Sequence, residues 1–286
     1  MRLTSFIPLG ENRKSYGIVT EKGIIDVGRH LAYQYADLKA VLAANAMPSI
    51  QAFCNFPANY LPKEVSFLPV IDNPNKIFGV GMNYQEKRHE FNEANPAPTL
   101  FIRFADSQTG HNDFVLKPTQ SNELDYEGEL AIVIGKAGKN ISQQEAMSHV
   151  AGYSCYMDGS VRDWQHSWFT AGKNWPKTGA FGPWLVTSDE LPDPHDLAIE
   201  TYLNGRKVQD ARTSGMIHQI PALIEYISTF SALSAGDVIL TGSPGGVGKK
   251  RTPPLFLQDG DTVEVYVEGI GTLRNAVRSA ETYADH

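Results

Sequence analysis

The feature that most constrains this chain is a run in which acids alternate with other residues and then give way to an unbroken apolar stretch. It reads Glu123-Leu124-Asp125-Tyr126-Glu127-Gly128-Glu129-Leu130-Ala131-Ile132-Val133-Ile134. Side chains alternate between the two faces of a strand, so a strand here projects Glu123, Asp125, Glu127 and Glu129 from one face. Same-face neighbours lie only about 6.6 Å apart along a strand, and like charges at that spacing repel unless water or a cation intervenes. For an ordinary acidic i, i+2 pair a solvated face is the commoner outcome. Here the apolar continuation draws Glu127 and Glu129 toward a core, where charge needs compensation. Gly128, between them, offers no packing and admits the close approach of another group. Oxygen-only ligands select a hard cation, Mg²⁺ or Mn²⁺ with Ca²⁺ admissible, over zinc.

A third oxygen ligand is expected elsewhere, and Asp158 in Tyr153-Ser154-Cys155-Tyr156-Met157-Asp158-Gly159-Ser160-Val161-Arg162-Asp163-Trp164-Gln165 is the candidate. The residues up to Met157 read as a strand, Gly159 as a turn, and Ser160-x-x-Asp163 as a capping box opening a helix over 160–167. Asp158 then stands at a strand-to-helix junction, with Arg162 and Gln165 on one face of the helix. A cation and an amide beside a metal-bound carboxylate suit an anionic, oxygen-rich substrate.

The rest of the chain bounds the setting. Its 286 residues allow one large domain or a small and a larger one, and 32 acids against 25 Lys and Arg give a net charge of −7, which disfavours nucleic acid and anionic membrane as partners. Cys54 and Cys155 stand outside any zinc or redox spacing, no apolar run reaches the length of a membrane span, and the start carries no signal-peptide pattern. A cytoplasmic protein is expected. Strand patterns fall at 2–7, 15–20 and 23–27, and helical periodicity at 37–44 and 49–53, before the Pro-rich stretch around Pro57 and Pro62 and the turn Asp72-Asn73-Pro74-Asn75. Beyond it short apolar runs recur, Asn204-Gly205 gives a strong hairpin signal, and helices are expected at 142–150 and 220–231. The reading is an α+β, β-rich protein with a small N-terminal α+β domain over 1–72 and a larger domain over 73–286. A phosphate loop at Gly242–Lys250 is disfavoured, because Ser243 stands where glycine is required and Lys250 where Ser or Thr should follow the lysine.

Asp125-Tyr126-Glu127-Gly128-Glu129-Leu130 followed by Asp158-Gly159-Ser160-Val161-Arg162-Asp163-Trp164-Gln165 resembles the fumarylacetoacetate hydrolase family. Further matches follow in order at 79–84, 172–175, 181–187 and 241–248, so that the resemblance covers roughly Ile77 to Val277. It implies a mixed β-roll catalytic domain behind a small N-terminal domain, usually as a homodimer, acting on small 2-oxo acids or their enols. It also implies that Glu127, Glu129 and Asp158 hold one divalent ion per subunit. Arg162, Gln165, Lys173, Thr241 and Tyr84 would line the pocket, with Lys173 and Gln165 as catalytic groups. Hydrolases of the family carry a His three residues beyond the tyrosine of this motif and a Glu three further on. Here those positions are Lys87 and Glu90, with a histidine at 89. Either His89 acts as general base oriented by Glu90, or the base is absent and Lys87 and Arg88 capture a distal carboxylate.

The resemblance gives, as leading expectation, a metal-dependent hydrolase cleaving a C–C bond in an acylpyruvate-like β-diketo acid from aromatic or sugar-acid breakdown, through a metal-chelated enolate. Decarboxylation of a 2-oxo acid such as oxaloacetate, or enol–keto isomerisation, passes through the same enolate. The third possibility is a non-catalytic metal-binding relative.

Overall fold

Residues 1–281 are described by the structure, a computed structural model. An eleven-stranded mixed sheet forms its backbone. The strands run in the order Gly23–Asp26, Ser15–Thr20, Arg2–Pro8, Gly179–Thr187, Val150–Asp158, Gly128–Ile134, Val238–Leu240, Ile77–Gly81 and Thr99–Arg103, with Val65–Phe67 and Gln108–Thr109 attached beside this path. A five-stranded sheet, Arg206–Arg212, Ala198–Leu203, Thr262–Val267, Gly271–Ser279 and Phe114–Lys117, packs against it, and Leu124–Asp125 pairs with Ser160–Val161 in a small ribbon. The strand-rich α+β expectation is met.

The acidic segment shows why its apolar tail is continuous. Leu130, Ile132 and Ile134 are fully buried in one cluster with Ile199, Val263, Val265 and Leu273, many of them from the smaller sheet. Ala131 and Val133, on the opposite face, join Val41, Leu42 and Ile50 from the N-terminal helices. A strand covered on both faces reads as an apolar run rather than an alternation. Each fully buried Leu, Ile or Val contributes about 1.5–3 kcal/mol relative to exposure. Gly128 has the predicted role, since a Cβ there would meet Thr201 Oγ1 at 2.1 Å.

Several local readings match the structure closely. The strand at Ser15–Thr20, the hairpin of Ala198–Leu203 with Arg206–Arg212, and the helix Ile220–Phe230 fall where expected. At Leu38–Ala43 the Asp37 side chain caps the helix by accepting from Ala40 N–H. Arg2–Pro8 pairs antiparallel with Gly179–Thr187 in the large sheet. The helix expected over 160–167 does not form. Ser160 does not cap it; its hydroxyl donates back to Asp158 O, Ser160–Val161 pairs with Leu124–Asp125, and only a short 3₁₀ turn, Arg162–Trp164, follows. At the sheet edge formed by Thr99–Arg103, the Asn174 amide accepts from Phe104 N–H and donates to Ile102 O.

Candidate metal centre and active site

Glu127, Glu129 and Asp158 converge, each offering a carboxylate oxygen within 4.8 Å of the others. Two adjacent antiparallel strands bring them together: Glu129 lies opposite Tyr156, and the Asp158 N–H donates to Glu127 O at 2.8 Å. All three are buried, as the apolar continuation predicts. The expectation of four acids on one strand face is corrected. The backbone leaves the strand at Tyr126 and Glu127, so Leu124–Asp125 belongs to the small ribbon and Glu123 is half-buried outside the cluster. Asp125 instead accepts from Gly248 N–H (2.7 Å), Lys249 N–H (3.0 Å) and Arg162 Nε (2.8 Å), and so anchors the glycine-rich loop.

Buried cations surround the triad. Glu127 Oε1 accepts from Lys87 Nζ (2.7 Å) and Arg162 Nη2 (2.6 Å), and its Oε2 from Lys173 Nζ (2.8 Å). Lys173 also donates to Asp158 Oδ2 and to Ser160 Oγ, with its ammonium 4.7 Å from the centre of the Phe101 ring. Burial acts to raise the Glu127 carboxyl, but Lys173, Lys87 and Arg162 together outweigh it and hold the group well below the usual carboxylate range. Glu129 behaves oppositely: burial, then the neighbouring Asp158 and Glu127, push it well above that range. Its Oε2 accepts from Gly242 N–H. An all-oxygen donor set in which one carboxylate lacks sufficient positive charge fits a hard divalent ion.

The other expected residues divide. Tyr84 is fully buried, its hydroxyl has no partner among the described residues, and burial followed by Glu129 and Glu86 raises its pKa. Gln165 Oε1 accepts from Arg162 Nη1 at 3.4 Å, while its Nε2 is buried without a partner among the described residues. Lys87, ambiguous in sequence, is drawn inside and bonds Glu127 and Ser243. Thr241 is buried, but its hydroxyl donates to Leu130 O, so it closes the turn rather than offering its proton to a ligand. His89 is exposed on the Gln85–Phe91 helix; the turn that buries Lys87 carries the imidazole away from the triad. Glu90 accepts from Gly246 N–H through Oε1, so it holds the glycine-rich loop instead of orienting His89.

Sequence reasoning missed four residues. Arg103, almost fully buried, donates to Asp158 Oδ1 (2.6 Å), Gly159 O and Thr178 Oγ1. Asn83 ties the site's loops together by donating to Thr241 O and His218 O and accepting from His218 N–H. Ser160 and Ser243 each accept from a site lysine. Arg103 carried one signal: it shares strand parity with buried Phe101.

Residues 76–278 match the family model described as fumarylacetoacetate (FAA) hydrolase C-terminal. The chain belongs to the fumarylacetoacetate hydrolase family. Within that family it is 44% identical, over 220 residues, to a mitochondrial oxaloacetate tautomerase of Xenopus laevis, a match covering 74% of this chain and 68% of that one. The fumarylacetoacetate hydrolase of psychrophilic Exiguobacterium antarcticum has a similar structure, with a TM-score of 0.85 and 33% identity over 98% of this chain and 99% of that one. Maleylpyruvate hydrolase of Sphingobium sp. SYK-6, solved with manganese(II) and pyruvate, has a TM-score of 0.82 and 25% identity over 98% and 99%. This family member is therefore an enzyme whose relatives include tautomerases and hydrolases. Among its described residues no helix is long and apolar enough to cross a membrane.

Proposed function

We propose that this chain is a divalent-ion-dependent tautomerase of a 2-oxo dicarboxylic acid of the oxaloacetate type, interconverting its enol and keto forms. The observation that carries the proposal is the inversion of Lys87 and His89: an ammonium takes the inward position and the imidazole faces solvent. Hydrolysis needs a base to activate water, and neither residue supplies one. Tautomerisation needs only a stabilised enolate and one proton moved between oxygen and carbon. The 44% identity to an oxaloacetate tautomerase supports the same reading.

Glu127, Glu129 and Asp158 would hold Mg²⁺ or Mn²⁺, which supplies Lewis-acid polarisation of the substrate's carboxylate and keto oxygens. Arg162 fixes Glu127 and Asp125 in place with two short bonds. Lys173 Nζ, held by Glu127, Asp158 and Ser160, places its positive charge beside the position where negative charge would develop on the 2-oxygen. Tyr84 Oη and Gln165 Nε2, buried and without partners among the described residues, are the further donors open to substrate. Tyr84 keeps its proton because of its burial and the adjacent Glu129. Both cysteines are free thiols, in keeping with a reducing compartment, and the cytoplasm is the location proposed.

The test follows the ultraviolet absorbance of enol-oxaloacetate with and without Mg²⁺, beside coupled detection of pyruvate from acetylpyruvate. Metal-dependent acceleration of enol loss, abolished in Lys173→Met, with no pyruvate from acetylpyruvate, is expected. Efficient acetylpyruvate cleavage without tautomerisation would overturn the reading in favour of a hydrolase, and CO₂ release without tautomerisation in favour of a decarboxylase.

A further inference from the structure

Four carboxylates and four cations are buried together around the triad, each at most 4% exposed: Asp125, Glu127, Glu129 and Asp158 against Lys87, Arg103, Arg162 and Lys173. With all four acids ionised, as they would be around a bound ion, the chain's own charges in the cluster balance, and a divalent ion adds two positive charges to a site shielded from water. Such an excess is costly in a low-dielectric interior unless matching anions arrive with it. A 2-oxo monocarboxylate brings one negative charge; a 2-oxo dicarboxylate brings two and restores neutrality.

Among the four cations, the bonding singles out the one able to meet the second carboxylate. Arg103 is committed to Asp158, Gly159 and Thr178. Arg162 bridges two carboxylates, Asp125 and Glu127, and also donates to Gln165, so its guanidinium cannot turn to a new anion without unpairing Asp125. Lys173 uses its three N–H donors on Glu127, Asp158 and Ser160. Among the described residues Lys87 has two partners, Glu127 Oε1 and Ser243 Oγ, for three donors. Its carboxylate partner is also the one shared with two other cations, so Lys87 can turn from Glu127 while leaving that group paired. Ser243 places a hydroxyl beside it. Glu90, the half-buried acid on the same helix, is engaged by Gly246 N–H rather than by Lys87.

We propose that Lys87, with Ser243, reads the second carboxylate of the substrate, and that through this contact the divalent ion and a dicarboxylate bind as a cooperative pair. The substrate class rests on the tautomerase reading above. Before substrate arrives the Lys87 ammonium opposes the ion across Glu127; a dicarboxylate draws off that charge. Coupling is reciprocal, so the ion raises dicarboxylate affinity by the same factor.

The experiment measures Mn²⁺ binding by electron paramagnetic resonance, with free ion corrected for chelation in solution, alone and with saturating malate or lactate. These unreactive 2-hydroxy acids differ by one distal carboxylate. In the wild type malate should tighten Mn²⁺ binding about ten-fold more than lactate does, within the usual range for coupled sites. Lys87→Met should bind Mn²⁺ alone more tightly than wild type and lose the malate–lactate difference, while Lys87→Arg keeps it. Equal effects of malate and lactate on the wild type, or a difference that survives in Lys87→Met, would overturn the proposal. Should Lys87→Met fail to fold, Ser243→Ala serves in its place and should reduce the difference; an undiminished one counts against the proposal. Loss of tautomerase activity with intact malate coupling would refute the reaction assignment alone. Tautomerase activity without coupling would refute only this inference.

Discussion

Two isosteric substitutions in the triad, at Glu127 and Glu129, should move stability in opposite directions. Glu127 is the counter-charge for Lys87, Arg162 and Lys173, at 2.7, 2.6 and 2.8 Å. Removing one partner of a buried pair costs about 3–5 kcal/mol, because the remaining charge is left uncompensated. In Glu127→Gln part of this is offset, since the amide oxygen still accepts a hydrogen bond and repulsion from Glu129 and Asp158, within 4.8 Å, is relieved. A net loss of about 2–4 kcal/mol remains, or roughly 10 °C in Tm for a chain of this size. Glu129→Gln removes the carboxylate that like charges disfavour and leaves an oxygen to accept from Gly242 N–H, so its effect should lie between zero and about 1 kcal/mol of stabilisation. Urea unfolding of both variants and the wild type in EDTA at neutral pH reads these differences directly. A Glu127→Gln protein as stable as Glu129→Gln would refute the charge accounting.

Three further outcomes follow from single contacts. Arg103→Met should weaken Mn²⁺ binding about 10–100-fold by removing the partner that fixes Asp158, as equilibrium binding would show. His111 is held neutral, its pKa lowered to about 4 by burial and then by Arg274, and its Nδ1 accepts from the Arg274 N–H. Its contribution is therefore present above about pH 6.5 and lost as pH falls toward 4; wild type should lose about 1–3 kcal/mol across that window, and His111→Asn should flatten the dependence in urea titrations at stepped pH. Gly128→Ala forces a methyl group onto Thr201 Oγ1 and Val265, and should destabilise by about 2–3 kcal/mol in the same assay.

The parts of this molecule legible in sequence are those whose signal is local. Ser15–Thr20 shows as a strand from its own composition, and the Asn204-Gly205 turn announces its hairpin because few dipeptides tolerate that geometry. Glu127 and Glu129 could be picked out because acids entering an apolar run violate a burial rule. The misreadings arise where a distant partner outbids a local preference. Ser160-x-x-Asp163 has the pattern of a helix cap, yet Ser160–Val161 finds a strand partner in Leu124–Asp125 and the Asp163 carboxylate accepts from the Ser121 hydroxyl. Asp125 matches the period of Glu127 but not its destination, because the chain bends between them. Lys87 and His89 sit in one charged helical turn, and only the tertiary docking of that helix against the 241–248 loop decides which one enters the site. Arg103 and Asn83 act on residues 55 and 158 positions away, a separation that no spacing rule spans.

The Asn174 side chain on the edge of the large sheet has a consequence for solubility. Thr99–Arg103 is an edge strand that exposes its own Ile102 and is followed by exposed Phe104, the kind of border on which a second chain can add itself. By bonding Phe104 N–H and Ile102 O, the Asn174 amide occupies hydrogen-bonding positions that an incoming strand would use, and so acts as a stopper against edge-to-edge aggregation. Because Asn174 directly follows Lys173, the turn that delivers an ammonium to the active site also guards the sheet from self-association. Changes that loosen this turn therefore put both the chemistry and the colloidal stability of the protein at risk.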